Sequence, residues 1–179
     1  LVCDNHHCYD KAKSGYTNLL LSQQSKAKRH GDDKLMVRSR QAFLNKGYYH
    51  PLLDMICETL LKYIKDKSQI LDAGCGECWY TANIYSFLTK NNIRFDLFGI
   101  DISKDALALG AKRNPQIELA VASVFKLPVR DSSCDMVFSF FSPFCSEEFL
   151  RILKKGGIVL KVFPLEKHLF NLKSAVYDN

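Results

Sequence analysis

The 179-residue sequence contains no uninterrupted apolar run near the roughly 20 residues that a membrane-spanning helix needs. Its amino end also lacks the charged, apolar and small-residue order of a secretory signal. These absences set the expectation of a soluble, cytoplasmic protein. A disulfide scaffold is excluded as well: the seven cysteines, at positions 3, 8, 57, 75, 78, 134 and 145, are odd in number and lack dense spacing. Reduced thiols fit that distribution. No internal repeat or low-complexity tract is present, which sets aside solenoids and disordered arrays.

Acidic residues are scarce at the front. The formal net charge is +6, with nine Lys or Arg against four Asp in residues 1–50 and sixteen basic against fifteen acidic residues in 51–179. A basic front on a near-neutral body suits a front that meets a polyanion, and equally a solvated basic surface with no partner.

What is present is enough for one buried domain with a small appendage: 47% of residues are hydrophobic and 12% aromatic. Residues 22–34 (SQQSKAKRHGDDK) show no hydrophobic period and read as a loop. Leu35 to Lys46 reads as a helix stopped by Gly47, and Pro51 opens another with Leu52, Leu53, Ile56, Leu60 and Ile64 on one face. From Ser68 onward, strands predicted at 69–73, 95–101, 118–122, 135–140 and 157–163 alternate with helices near 77–90, 103–112, 146–153 and 166–176. Such alternation predicts right-handed βαβ units and a doubly wound, mainly parallel α/β sheet, in the order 3-2-1-4-5 counted over those five strands.

The stretch LDAGCGECWY, Leu71 to Tyr80, admits three parses. As Cys75-Gly-Glu-Cys78 it has the spacing of a redox pair or half a zinc site. As Gly74-x-Gly76 after a strand it resembles a dinucleotide turn, but the third glycine position holds Trp79, whose bulk opposes close helix–strand packing. The third parse is a methyltransferase cofactor loop. Glycines let a backbone approach a ligand, the following helix start supplies N–H donors, and an acid ending the next strand can hold a ribose. Asp101, closing FDLFGID, is that acid, although a strand-end Asp also serves as a turn or cap.

LDAGCGE, GID, KLPVRDSSCDMVFS and LRILKKGGIVLKV together resemble the successive motifs of class I S-adenosylmethionine-dependent methyltransferases, in order. Cys78 stands where many relatives carry a third glycine. The segments CDNHHCYDKAKSGYTNLL, RSRQAFLNKGYYHPL and PLEKHLFNLK are further similar to the bacterial large-subunit (23S) rRNA (guanine-N1)-methyltransferases, which join an amino-terminal zinc module to a Rossmann-like methyltransferase domain. The resemblance implies a partial zinc-binding and RNA-recognition segment over 1–33, a helical linker over 34–67 and an S-adenosylmethionine-binding domain over 68–179. Because the sequence opens at Leu1 without a methionine and stops after five strands, a chain truncated at both ends is the expectation.

By that resemblance Asp72, Gly74, Gly76 and Glu77 form the cofactor loop, Asp101 accepts from the ribose hydroxyls and Ser123 flanks the adenine edge. Tyr49 and His168 also touch the cofactor, or else serve as a core aromatic and a surface helix residue. Cys3 and His7 would be the second half of a Cys-Cys-Cys-His zinc site whose first pair lies upstream, since two donors cannot close a tetrahedral site. Without the metal that front segment lacks its staple. The front module also offers a surface for a homodimer.

Methyl transfer is an in-line displacement, so the protein must mainly align donor and acceptor and exclude water. Guanine N1 carries a proton at neutral pH, and the sequence names no catalytic base to take it. Phe140, Phe141 and Pro143, in the loop FSFFSPFCSEE, are placed to wall a flipped guanine, with packing in the core as the alternative. Arg38, Arg40 and the Lys26, Lys28, Arg29 cluster are candidates for phosphate contacts, or a solvated helix face. Methylation of a small molecule or protein, and cofactor binding without catalysis, remain the rival readings.

Overall fold

The structure is a computed structural model that describes residues 8–20, 31–170 and 174. Its elements are β1 (Tyr16–Asn18), α1 (Lys34–Asn45), α2 (His50–Leu61), β2 (Ser68–Ala73), α3 (Trp79–Lys90), β3 (Phe95–Asp101), α4 (Lys104–Gly110), β4 (Glu118–Val121), β5 (Cys134–Phe140), α5 (Ser146–Ile152) and β6 (Leu153–Val162). The strands among the described residues form one parallel sheet in the order β1-β4-β3-β2-β5-β6. The predicted order 3-2-1-4-5 is therefore present, extended at one edge by β1, which the sequence reading missed. Tyr16, Thr17 and Asn18 of β1 pair with Leu119, Ala120 and Val121 of β4.

Both predicted front helices form. Asp33 caps α1 by accepting from Met36 N (2.8 Å), and Gly47, at φ +83°, lies just past its end. Pro51 occupies the first turn of α2, where its missing N–H costs nothing. One face of the sheet is covered by α2 and α3: Leu53, Ile56, Leu60, Ile84 and Leu88 pack on Ile70, Leu97, Met136 and Phe138. Beside them Leu107 of α4 packs with Leu119, Val121 and Cys78. Phe149 and Ile152 of α5 cover the other face together with Val124 and Leu127. No helix links β4 to β5. Arg151 instead pins that crossover by donating to Leu127 O (2.9 Å) and Val129 O (2.8 Å) and pairing with Glu148 and Asp131.

Two boundaries differ from expectation. β6 begins at Leu153 because Leu153 pairs with Cys134 ahead of a bulge, and regular pairing resumes at Ile158 with Met136. α3 begins at Trp79, two residues later than expected, because Cys78 takes a left-handed conformation (φ +62°). Of the helix expected over 166–176, Glu166 to Leu169 form a turn and the remainder lies largely outside the described residues.

Candidate functional site

The carboxyl ends of β2 and β3 meet at a tight bend. Gly74 N and Cys75 N both donate to Ile100 O at 2.9 Å, so the chain leaving β2 turns across the end of β3. Gly74 (φ +93°) and Gly76 (φ +56°) take backbone angles that side chains resist. Their surroundings differ. A Cβ on Gly74 would stand 2.4 Å from Ser142 Cβ, whereas one on Gly76 would meet nothing within 4 Å. Ser142 donates to Ala73 O (2.7 Å) and shares a bond with Ser139 Oγ (3.0 Å), locking the loop after β5 onto this bend.

Cys78 then enters α3 with no side-chain cap. Its backbone is left-handed, a conformation glycine adopts more readily, and Gly110 makes room for its thiol: a Cβ there would meet Cys78 Sγ at 2.5 Å. Burial pushes the Cys75 thiol up, the reverse of the low pKa that a redox cysteine requires. The cysteines of this loop are packing residues.

Asp101 faces the bend. Its Oδ2 accepts from Gly76 N (2.9 Å) and its Oδ1 from Ser103 N (2.7 Å). Burial raises its pKa, and those two amide bonds oppose the rise. Asp72, 1% exposed, accepts from Thr81 Oγ1 (2.7 Å) through Oδ2 only. Glu77, 3% exposed, is met by the Arg113 guanidinium and by Gln41 Nε2 (3.5 Å). Among the described residues, the buried side-chain oxygens that lack a partner are Asp72 Oδ1, Glu77 Oε1 and Tyr80 Oη, and all three border this loop. Buried polar atoms are nearly always paired, so three orphans in nine residues set this segment apart.

Burial pushes the Asp72 carboxyl from 3.8 to about 7; the Thr81 bond opposes the rise and the charge on Asp101 adds to it. Between those values the folded chain keeps a proton that the unfolded chain has released, so stability falls as pH rises, by on the order of 1 kcal/mol per pH unit. Asp72→Asn is expected to remove that contribution. Its stability relative to the parent should climb from about pH 4 to pH 7 and then level off. Urea unfolding of the ligand-free proteins at each pH checks this, and parallel curves would contradict a protonated Asp72.

The other expected site residues divide. Tyr49, half-buried just before α2, Phe141 and His168 form a chain of rings, with Tyr49–Phe141 at 6.0 Å and Phe141–His168 at 6.1 Å. Phe43, Tyr48 and Tyr80, not singled out in the sequence, extend that chain. Ser123 is half-buried beyond β4, where its Oγ accepts from Phe125 N (3.2 Å). Phe140 is a correction: it is 6% exposed and stacks on Phe138 at 5.3 Å, so its ring fills the core, while Phe141 is 41% exposed. Pro143 is exposed. Arg38 is exposed on α1, and Arg40 is partly neutralised by an exposed ion pair with Asp32. Cys3, His7, Lys26, Lys28 and Arg29 lie outside the described residues. Among the described residues no group of three or more His, Cys, Asp or Glu is gathered as a metal site.

The fold is that of the S-adenosylmethionine-dependent methyltransferases. A solved structure provisionally assigned to that class, from Methanococcus maripaludis, superposes with a TM-score of 0.63 over 85% of this chain and 74% of its own, at 18% identity. The PH0226 protein of Pyrococcus horikoshii aligns at 0.55 over 72% of this chain and 60% of its own, at 27% identity. The family described as "Methyltransferase domain" matches residues 70–160, and the chain belongs to it. The 23S rRNA (guanine(748)-N(1))-methyltransferase of Streptomyces fradiae is 33% identical over 98% of this chain and 61% of its own length. YxjB of Bacillus subtilis (strain 168), provisionally assigned 23S rRNA (guanine-N(1)-)-methyltransferase activity, is 33% identical over 100% of this chain and 63% of its own. The chain thus spans somewhat under two thirds of these relatives. S-adenosylmethionine is the cofactor that family and fold support, and the bend leaves open space at Gly76, where an added Cβ would meet nothing within 4 Å.

Proposed function

We propose that this chain is the cofactor-binding part of an enzyme that methylates N1 of a guanine in large-subunit ribosomal RNA. The similarity to the Streptomyces fradiae and Bacillus subtilis proteins, running through nearly the whole chain, carries the choice of substrate. The orphaned oxygens around an open glycine bend support the cofactor site. The basic front supports a polyanionic partner, and a cytoplasmic location follows from an RNA substrate. No helix among the described residues is long and apolar enough to cross a membrane.

In this reading Gly74, Gly76, Asp72 and Glu77 receive the methionine end of the cofactor, Asp101 the ribose and Ser123 the adenine edge. Tyr49 and His168 flank it through the ring chain that Phe141 joins. When bound, S-adenosylmethionine supplies a methyl group on a positively charged sulfur. The chain's own task is to hold the acceptor in line and keep water out. Phe141 and Pro143, exposed at the carboxyl end of β5, are suited to stacking against an extruded base, and Arg38 and Arg40 to phosphates. Zinc enters only if two further donors complete Cys3 and His7.

Filter binding of a large-subunit rRNA hairpin at two salt concentrations tests the substrate. With about four phosphate contacts, raising salt from 50 to 200 mM is expected to weaken binding roughly 50- to 150-fold. Salt-independent binding, or none, would favour a small-molecule or protein acceptor. Primer extension on undermethylated rRNA then reads the product, because a methyl group at N1 blocks the pairing edge of guanine.

A further inference from the structure

We propose that Arg113 is a positioning residue for the cofactor loop, holding Glu77 in place and tying helix α1 to it. The proposal rests on the reading of that loop as the cofactor site. Arg113 lies just past α4 and only 19% of its side chain is exposed. Its guanidinium pairs with Glu77 Oε2 and also donates through Nε to the Glu77 carbonyl oxygen (3.0 Å). Both the side chain and the main chain of Glu77 are thereby gripped by one planar group, which a lysine's single ammonium cannot reproduce.

The nitrogen that pairs with Glu77, Nη2, also reaches α1, donating to Asn45 Oδ1 (2.9 Å). Gln41, one helical turn earlier on the same face, approaches the same Glu77 oxygen. Two residues past α1 the chain reaches Gly47, Tyr48 and Tyr49, which enter the ring chain toward Phe141. Arg113 thus links the loop that receives the cofactor to the helix that leads to the aromatic wall. Glu77 Oε1 is buried and left without a partner.

Burial raises the Glu77 pKa; Arg113 first, then Gln41 and the charge on Arg40, lower it. Removing Arg113 leaves a buried carboxylate whose remaining nearby cation is Arg40, and it will ionise only at higher pH. Calorimetry with S-adenosylhomocysteine between pH 6 and pH 9 reads this out. Arg113→Ala is expected to bind at least tenfold more weakly than the parent at pH 7 and to recover as pH rises, a trend that loss of packing alone would not produce. Arg113→Lys keeps the charge without the fork; it should bind about threefold more weakly with the parent's pH profile. In a Glu77→Gln background, Arg113→Ala should cost clearly less than in the parent and show no recovery with pH, because the carboxylate is gone and only the bonds to the residue-77 carbonyl and Asn45 are lost.

If the parent itself binds no S-adenosylhomocysteine, the cofactor-site reading fails and this proposal with it. If the parent binds and the Arg113→Ala protein matches it within twofold at every pH, Arg113 has no positioning role. Should Arg113→Ala not fold, parental affinity in Arg113→Lys overturns the proposal, and weakened affinity with a retained profile supports it.

Discussion

Replacing Asp101 by alanine is expected to weaken binding of S-adenosylmethionine about a hundredfold. A half-buried carboxylate that accepts two ribose hydroxyls contributes about 1.5–3 kcal/mol for each bond it keeps. The same change removes the acceptor for Gly76 N and Ser103 N, so the bend itself loosens. Asp101→Asn keeps an acceptor while giving up the charge, and a loss of roughly tenfold is expected. Titration calorimetry measures both. Parental affinity in the alanine variant would contradict the placement of a nucleoside beside Gly76 and Asp101.

The two glycines of the loop should fail in opposite ways. At Gly74 an added methyl meets Ser142 Cβ at 2.4 Å on a backbone at φ +93°, inside a corner held by Ser139 and Ala73. Overpacking and the disfavoured backbone together cost about 3–4 kcal/mol, so Gly74→Ala should lower the melting temperature by about 10 °C. At Gly76 nothing lies within 4 Å, so stability should fall by only about 1 kcal/mol. The Gly76 methyl would instead occupy space that a ligand needs, and affinity should drop at least about tenfold. Thermal melts paired with calorimetry separate the two outcomes. A Gly76→Ala protein that binds normally would show that the ligand does not approach the backbone there.

The strands and their order were legible because βαβ chemistry leaves a coarse signature: short apolar runs separated by helical periods. The bend and its facing acid were legible for a similar reason, since Gly74, Gly76 and Asp101 sit at fixed offsets from strand ends. Phe140 and Phe141 were not separable, because the apolar run FSFF does not show that β5 ends at Phe140 and that Phe141 turns away at φ +54°. β1 escaped notice because Tyr-Thr-Asn is too short to show a period, and only its partner β4 makes it a strand. Arg113 escaped for a different reason. It meets Glu77 across 36 residues of sequence, and nothing local to either residue announces the pairing.

Residues 16–19 are sewn into the sheet, not hung from it. Beyond Asn18, Leu19 N donates to Val121 O at 3.0 Å, two residues short of Ser123, so a tug on the amino-terminal region is felt at the tip of β4. Trimming the first twenty residues would do more than remove a handle: it would strip β4 to a raw margin, where neighbouring molecules can zip together and clump.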